Sequence, residues 1–368
     1  MDEATRDRFV AAGLYDPVRD ADTDRLELLD WLLASGLSVD ELIDADRRLA
    51  LAASAGDRRL VPGERLGRAR AIADSGLPPR RFDAIAAAFG MVPIHGAPDG
   101  EVGFVAEEVA AIAAVGALVD VFSESEALSF VRVMGASLAR LGEAAVSLFL
   151  ADVEGPHLIA GHGELDLAHK VFEAVGLLDE LTRHLDPLLR RQVLQAIERS
   201  RATTIGETER VRYRYAVGFV DLVGFTTLSG SMDTMELTAF LRRFEERAFA
   251  VAAQHGARVV KLIGDEVMFV ATEPGRACAT GRALIEQFGA DGVAPRGGVA
   301  YGDVLLRGGD YFGSVVNLAS RLVDEAVPGE LLVTDELAAA STECRFEPAG
   351  RRHVKGFDEP VRVSSLAT

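Results

Sequence analysis

Phe219-Val-Asp-Leu-Val-Gly-Phe-Thr226 and Lys261-Leu-Ile-Gly-Asp-Glu-Val-Met-Phe269 are two apolar, β-branched runs, each interrupted or ended by an aspartate, Asp221 and Asp265. Runs of this composition read as buried strands. Two carboxylates at the ends of neighbouring buried strands repel each other and raise a pKa unless a cation lies between them. A divalent metal answers that need. Magnesium takes oxygen ligands, commonly one or two carboxylates with phosphate oxygens, and a pair of such ions clamps the attacking and leaving oxygens of a phosphoryl displacement. A plainer reading of Asp265 stands beside this one, because Gly-Asp between two apolar strands is also a common hairpin turn. Leu222 to Thr226 reads as a strand-to-helix junction whose backbone N–H groups suit phosphate oxygens.

Working outward, Phe-x-Asp-x-x-Gly-Phe-Thr is followed about forty residues later by Lys-x-x-Gly-Asp, and then by Asp310-Tyr-Phe-Gly-Ser-Val-Val-Asn317-Leu-Ala-Ser-Arg321. This succession, from about Arg212 to the end, resembles the catalytic domain of class III nucleotidyl cyclases. The resemblance implies an α/β domain with a ferredoxin-like, largely antiparallel central sheet flanked by helices. It implies a reaction in which the ribose 3′-hydroxyl of a nucleoside triphosphate attacks the α-phosphate and pyrophosphate leaves. On the same ground Asp221 and Asp265 hold two divalent ions, Mg2+ or Mn2+, Asn317 orients the ribose, and Arg321 stabilises charge developing on the α-phosphate. Lys355, in His-Val-Lys-Gly-Phe, and Arg296, in Pro-Arg-Gly-Gly-Val, match triphosphate-binding positions, although Arg296 also fits a strand-edge charge. The resemblance further implies a head-to-tail homodimer with two equivalent sites, and an inactive monomer.

Base recognition follows from donor and acceptor chemistry. Lys261 only donates and Asp310 only accepts, whereas adenine offers an acceptor at N1 and a donor at N6. The pair therefore reads adenine, and ATP is the expected substrate. Guanine presents the reverse pattern, and the resemblance implies Glu and Cys or a similar residue at these positions in guanylyl cyclases. A buried mispair costs roughly 1 to 3 kcal/mol per unsatisfied group. Lysine usage points the same way: Lys170, Lys261 and Lys355 are the three lysines among 39 basic residues, and two of them fall on the motif. A diguanylate cyclase is disfavoured because Ile263-Gly264-Asp265-Glu266 lacks a second glycine before the aspartate. A silent nucleotide-binding domain normally lacks a metal or transition-state residue, and none is missing.

The chain has 368 residues and a net charge of −18, which argues against nucleic acid as a partner. Residues 1–200 hold 20 Lys and Arg against 34 Asp and Glu, a net of −14, which leaves −4 for the remainder. The acidic half is rich in Ala and Leu with helical periodicity, as in Leu26-Glu-Leu-Leu-Asp-Trp-Leu-Leu33, and is punctuated at Gly76-Leu-Pro-Pro, Pro93 and Gly155-Pro. This predicts an all-helical domain over 1–186, a linker helix and switch over 187–211, and the cyclase domain over 212–368. Leu188 to Arg199 reads as one amphipathic helix after Asp186-Pro187. The longest uncharged apolar stretch, Val109 to Val119, is too short to span a bilayer, and no apolar leader opens the chain. Cys278 and Cys344 form no metal or redox motif, so a cytoplasmic location is expected.

Five histidines, His95, His157, His162, His169 and His184, lie in the acidic half. Histidine near carboxylates titrates around neutral pH. The amino-terminal region also resembles the autoinhibitory, pH-responsive helical domain that precedes some actinobacterial class III adenylyl cyclases. That resemblance implies restraint of the catalytic pair near neutral or alkaline pH and release by acid through 188–210, with no single histidine singled out. The apolar segment Val109 to Leu150 suits core or dimer interface, and a pocket for a fatty-acid-like regulator is the alternative.

Overall fold

The computed structural model describes residues 3–20, 23–91, 103–205, 212–290 and 293–367. Pro93, His95, Gly206 and the end of the 187–211 segment lie outside the described residues. The chain divides into two units, Met1–Leu189 and Arg190–Thr368.

The first unit is built from α1 (Glu3–Ala11), α2 (Arg25–Ala34), α3 (Val39–Arg47), α4 (Ser54–Leu60) and α5 (Arg68–Ser75). It continues through α6 (Pro79–Phe89), α7 (Ala106–Gly116), α8 (Glu124–Phe149), α9 (Gly155–Ala160) and α10 (Glu164–Arg183). Leu28, Leu29 and Leu32 of α2 pack with Phe9, Leu14 and Leu42 in one core, while Phe82, Ile85, Val109, Ile112 and Val131 form another. Val109, Ile112 and Val115 thus belong to the core of α7, whereas Phe130, Leu138, Leu141, Val146 and Leu148 of α8 are exposed. A cavity of about 550 Å³ in this unit is lined by Asp152, His157, His162, Lys170 and Glu173, not by the apolar 109–150 segment.

Two helical runs extend beyond what the sequence reading marked. The continuous helical run Glu124–Ala160 is long and apolar enough, by length and composition, to cross a membrane, and 6% of its window is buried. Uncharged runs alone do not reveal it, because Arg132, Arg140 and Glu143 interrupt the pattern. The linker helix α11 (Leu185–Thr203) starts before Leu188 and outlasts Arg199. Pro187 sits in its first turn, where a missing N–H costs nothing. Leu188, Leu189, Val193, Leu194 and Ile197 of α11 are exposed.

The second unit carries one twisted sheet. Its strands are β1 (Thr204–Ile205), β2 (Arg212–Val223), β3 (Arg258–Ile263), β4 (Glu266–Ala271), β5 (Ala294–Arg307), β6 (Asp310–Phe312), β7 (Leu331–Thr334), β8 (Phe346–Arg352) and β9 (Val361–Leu366). The order is β3-β4-β2-β5-β7-β9-β8, with β1 beside β2 and β6 beside β5. Every pairing except β5 with β7 is antiparallel. The helices are α12 (Phe225–Ser231), α13 (Thr234–Gln254), α14 (Pro274–Gly289), α15 (Ser314–Glu325) and α16 (Asp335–Ala340).

Strand alternation sorts β2 between two cores. Ala216, Val220 and Leu222 pack with Phe240, Phe244 and Val251 of α13 and with Leu284 and Phe288 of α14. Tyr215, Val217 and Phe219 pack with Ala319 and Val323 of α15. The same alternation puts Asp221 on the α15 side. Asp233 caps α13, accepting from the Glu236 amide at 2.8 Å while Glu236 accepts from the Asp233 amide at 3.0 Å. α15 lies close to the sheet because β5 has no side chain at Gly298, where a Cβ would stand 2.5 Å from the Ala319 carbonyl oxygen and 2.9 Å from the Val323 nitrogen. Gly298→Val is expected to lower unfolding free energy by about 1 to 3 kcal/mol through overpacking, read as a lower urea midpoint.

Candidate active site

Asp265 occupies the two-residue loop Gly264-Asp265 that joins β3 to β4, with Ile263 opposite Glu266 as the last ladder pair. Gly264 has φ +64°, the left-handed geometry such a loop requires. Asp265 is therefore a hairpin-turn residue, and it also faces Asp221: burial and the neighbouring Asp221 charge push its carboxyl above the usual range. The hairpin-turn reading holds, and the two carboxylates lie close to each other as the strand reading expects. Glu266, the next residue, is pushed up to about 7, chiefly by burial and then by Asp221, Asp324 and Asp265, with Arg296 opposing.

Arg296 is the register partner of Asp221 across β2 and β5. Its Nη2 lies 3.5 Å from Asp221 Oδ2 and 3.7 Å from Asp324 Oδ1, and Nη1 donates to the Asp324 carbonyl at 3.1 Å. Arg321, on α15, has Nη1 3.8 Å from Asp324 Oδ2. Asp221, Asp324 and Glu266 thus lie around Arg296, Asp265 neighbours Asp221 and Glu266, and Arg321 reaches Asp324. All the donors are oxygen, and negative charge is in surplus, which fits a hard divalent cation. No three His, Cys, Asp or Glu side chains among the described residues form an enclosing ligand set. The fitting arrangement is therefore Asp221 and Asp265 with solvent or substrate oxygens completing the shell, as magnesium favours.

A second group forms across the α15-side face of the sheet. A bulge in β3 between Val259 and Lys261 shifts the register beside Lys261. Gly308 (φ +60°) and Gly309 (φ +79°) make the tight turn that pairs Arg307 with Asp310. Lys261 Nζ donates to Asp310 Oδ2 at 2.5 Å, and Asp310 Oδ1 accepts from the Tyr311 amide at 2.8 Å. The two side chains are 43% and 29% exposed, so the pair remains open to a ligand. Asn317 lies in the first turn of α15, exposed like Arg321 one turn on. Lys355 is exposed in the turn after β8 and makes no ion pair with these carboxylates among the described residues. Sequence reading missed Asp324, although its spacing of three from Arg321 on a helix is a usable signal. It also missed the titration of Glu266.

Residues 10–198 match the model of the adenylate cyclase regulatory domain. The pH-sensitive adenylate cyclase of Mycobacterium tuberculosis is 30% identical over 362 residues, covering 93% of this chain and 88% of that protein. The chain belongs to the adenylate cyclase family. Another relative, the adenylate cyclase of Glutamicibacter nicotianae, is 30% identical over 332 residues, 84% of this chain and 81% of that one. An uncharacterized M. tuberculosis protein is 31% identical over 363 residues, 98% of this chain and 93% of its own length. Among solved structures, the adenylyl cyclase CyaB from P. aeruginosa is 26% identical over 43% of this chain and 95% of that one, with a TM-score of 0.39.

The Glu266 carboxyl has a pH consequence in this family member. A folded-state pKa near 7 against an ordinary value of 4.5 means the native state holds the proton more tightly than the unfolded chain. Stability from this group is full below the ordinary glutamate range and falls as pH rises through about 7. In chelator, Glu266→Gln is expected to flatten the fall in melting temperature between pH 5 and 7.5. Parallel curves for variant and wild type would refute the assignment.

Proposed function

We infer that the chain converts ATP to 3′,5′-cyclic AMP and pyrophosphate in a homodimer, under restraint by its amino-terminal region. The observation that carries the substrate choice is the Lys261–Asp310 pair, a donor and an acceptor held together and open to solvent. Lys261 donates to adenine N1, and Asp310 accepts from N6. Asn317 holds the ribose so that the 3′-oxygen faces the α-phosphorus in line with the departing pyrophosphate, which is chiefly positioning. The 3′-oxygen to phosphorus bond forms, the bond to the pyrophosphate oxygen breaks, and the hydroxyl proton passes to solvent. Arg321 meets the charge that grows on the α-phosphate, a planar guanidinium suiting that task. Arg296 and Lys355 bind the triphosphate. Asp221 and Asp265 would hold divalent ions, Mg2+ or Mn2+, which would supply charge neutralisation and acidify the attacking hydroxyl.

Dimerisation is supported by two features. Lys261 and Asp265 lie four residues apart in one hairpin, yet one reads the purine and the other faces the reacting phosphate at the far end of ATP. The exposed apolar residues of α8 and α11 are the kind of surface a second copy covers. A fatty-acid-like ligand of the 109–150 segment is a separate expectation, which lipid mass spectrometry of the purified protein tests.

For regulation, residues 1–186 act as the restraining domain and 187–211 as the switch to the catalytic domain over 212–368. His157 in this domain is 2% exposed and stands among charged groups. Its Nδ1 lies 3.2 Å from Asp166 Oδ2, its Nε2 3.1 Å from the Gly163 carbonyl, and its ring 5.3 Å from His162. Lys170 shares Asp166 at 2.9 Å, with Asp152 and Glu173 on the same cavity wall. A cytoplasmic location suits an ATP substrate, and fractionation tests it against the apolar run Glu124–Ala160.

Cyclic AMP should form from ATP and not from GTP with magnesium or manganese. A pH response between 5 and 8 should be present in the full chain and absent from residues 212–368. Asp265→Ala should lower turnover at least about 100-fold with the dimer intact on light scattering. Full activity of that variant would refute the assignment of Asp265.

A further inference from the structure

Tyr215 of β2 is 2% exposed and Tyr311 of β6 is 5% exposed, and their rings meet edge to face at 5.0 Å and 71°. A pair of phenylalanines would fill nearly the same volume, so the two buried hydroxyls require a separate reason. The Tyr215 hydroxyl meets both the Tyr311 hydroxyl and the side chain of Thr203, the last residue of α11. Thr203, itself 3% exposed, donates its hydroxyl to the Arg199 carbonyl at 2.8 Å. At the other end Arg258 Nη2 donates to Tyr311 Oη at 3.2 Å, and its guanidinium lies 5.5 Å from the centre of that ring.

At the two ends Arg258 donates and the Arg199 carbonyl accepts. The Tyr215 hydroxyl stands between Thr203 and Tyr311. The result is one continuous, buried sequence of hydrogen bonds from β3 through β6 and β2 to the end of α11. It terminates beside the base-reading pair. Tyr311 follows Asp310 directly and donates its amide to Asp310 Oδ1, while Arg258 lies on β3 three residues before Lys261, across the bulge. Two side-chain ties, Lys261 to Asp310 and Arg258 to Tyr311, therefore bridge β3 and β6, which are not neighbours in the sheet.

We propose that Tyr311 and Tyr215 are positioning residues for base recognition: their hydroxyls fasten β6 to the end of α11, so that the placement of α11 sets Asp310 and with it the affinity for adenine. This rests on the reading of Lys261 and Asp310 as the adenine readers. α11 begins in the amino-terminal unit and ends in the catalytic one, so a change at its carboxy-terminal turn reaches the purine before it reaches the phosphates. The signature is an effect on substrate choice and KM, not on the chemical step.

The test uses the full chain and compares kcat and KM for ATP and GTP, with melting temperature, in five proteins: wild type, Tyr311→Phe, Tyr215→Phe, Tyr301→Phe and Asp310→Ala. Tyr301 lies under Arg214 at 4.6 Å, outside the hydrogen-bond sequence, and is the control. Tyr311→Phe and Tyr215→Phe are each expected to raise KM for ATP about 3- to 10-fold, the worth of one hydrogen bond, and to lower the ATP over GTP preference similarly. Their kcat should stay within about twofold of wild type, and Tyr301→Phe should leave all values unchanged. Tyr215→Phe carries the test alone should Tyr311→Phe fail to fold. If Asp310→Ala lowers the preference and the tyrosine variants do not, the positioning role is wrong and the base reading stands. If Asp310→Ala leaves the preference unchanged, the base reading falls and the positioning role falls with it.

Discussion

Mutual repulsion of carboxylates at one end of the sheet is the constraint on which the arrangement depends. Asp221, Asp265, Glu266 and Asp324 arrive from β2, the β3–β4 loop, β4 and α15, and Arg296 stands among them. In water such a group would scatter, but here each backbone is fixed by something stronger than the repulsion. Asp221 belongs to a strand paired on both sides, Asp265 to a two-residue loop, and Asp324 to a helix seated on Gly298. Hydrophobic burial on both faces of β2 offsets the cost of charge held at its end. The protein gathers carboxylates at one place, and burial together with their charges raises the Glu266 carboxyl.

Much of this was legible in the sequence because strand composition and charge are local. The β-branched runs around Asp221 and Asp265 announced β2, β3 and β4. That Lys261 and Asp310 belong together was legible as chemistry, since a donor and an acceptor fit one base, whereas their ion pair with each other was not. What escaped depends on register. That Arg296 falls opposite Asp221, that a bulge shifts the ladder beside Lys261, and that Tyr215 stacks on Tyr311 follow from pairing between strands far apart in sequence. No window of neighbouring residues encodes them. The long helical run through α8 escaped for the opposite reason: scattered arginines and a glutamate conceal its apolar character.

Helix α11 is the covalent route between the units, and its two ends differ in kind. Its first half shows Leu188, Leu189 and Val193 to solvent, while Thr203 at its last turn is buried, between the Arg199 carbonyl and the Tyr215 hydroxyl. The helix is thus anchored at its carboxy-terminal end beside β2 and exposed along its first half.

The ion pair between Lys261 and Asp310 gives the resting site a further property. The two groups satisfy each other, so under the proposed adenine reading the reader is a closed clasp. A purine would then have to part the clasp and repay what is lost. Adenine would return an acceptor to the lysine and a donor to the aspartate. Guanine would offer each partner the group it cannot use, and would bear the cost of opening as well as the mismatch. Selectivity would begin with the energy needed to unfasten two side chains from each other, before any contact with the base is made.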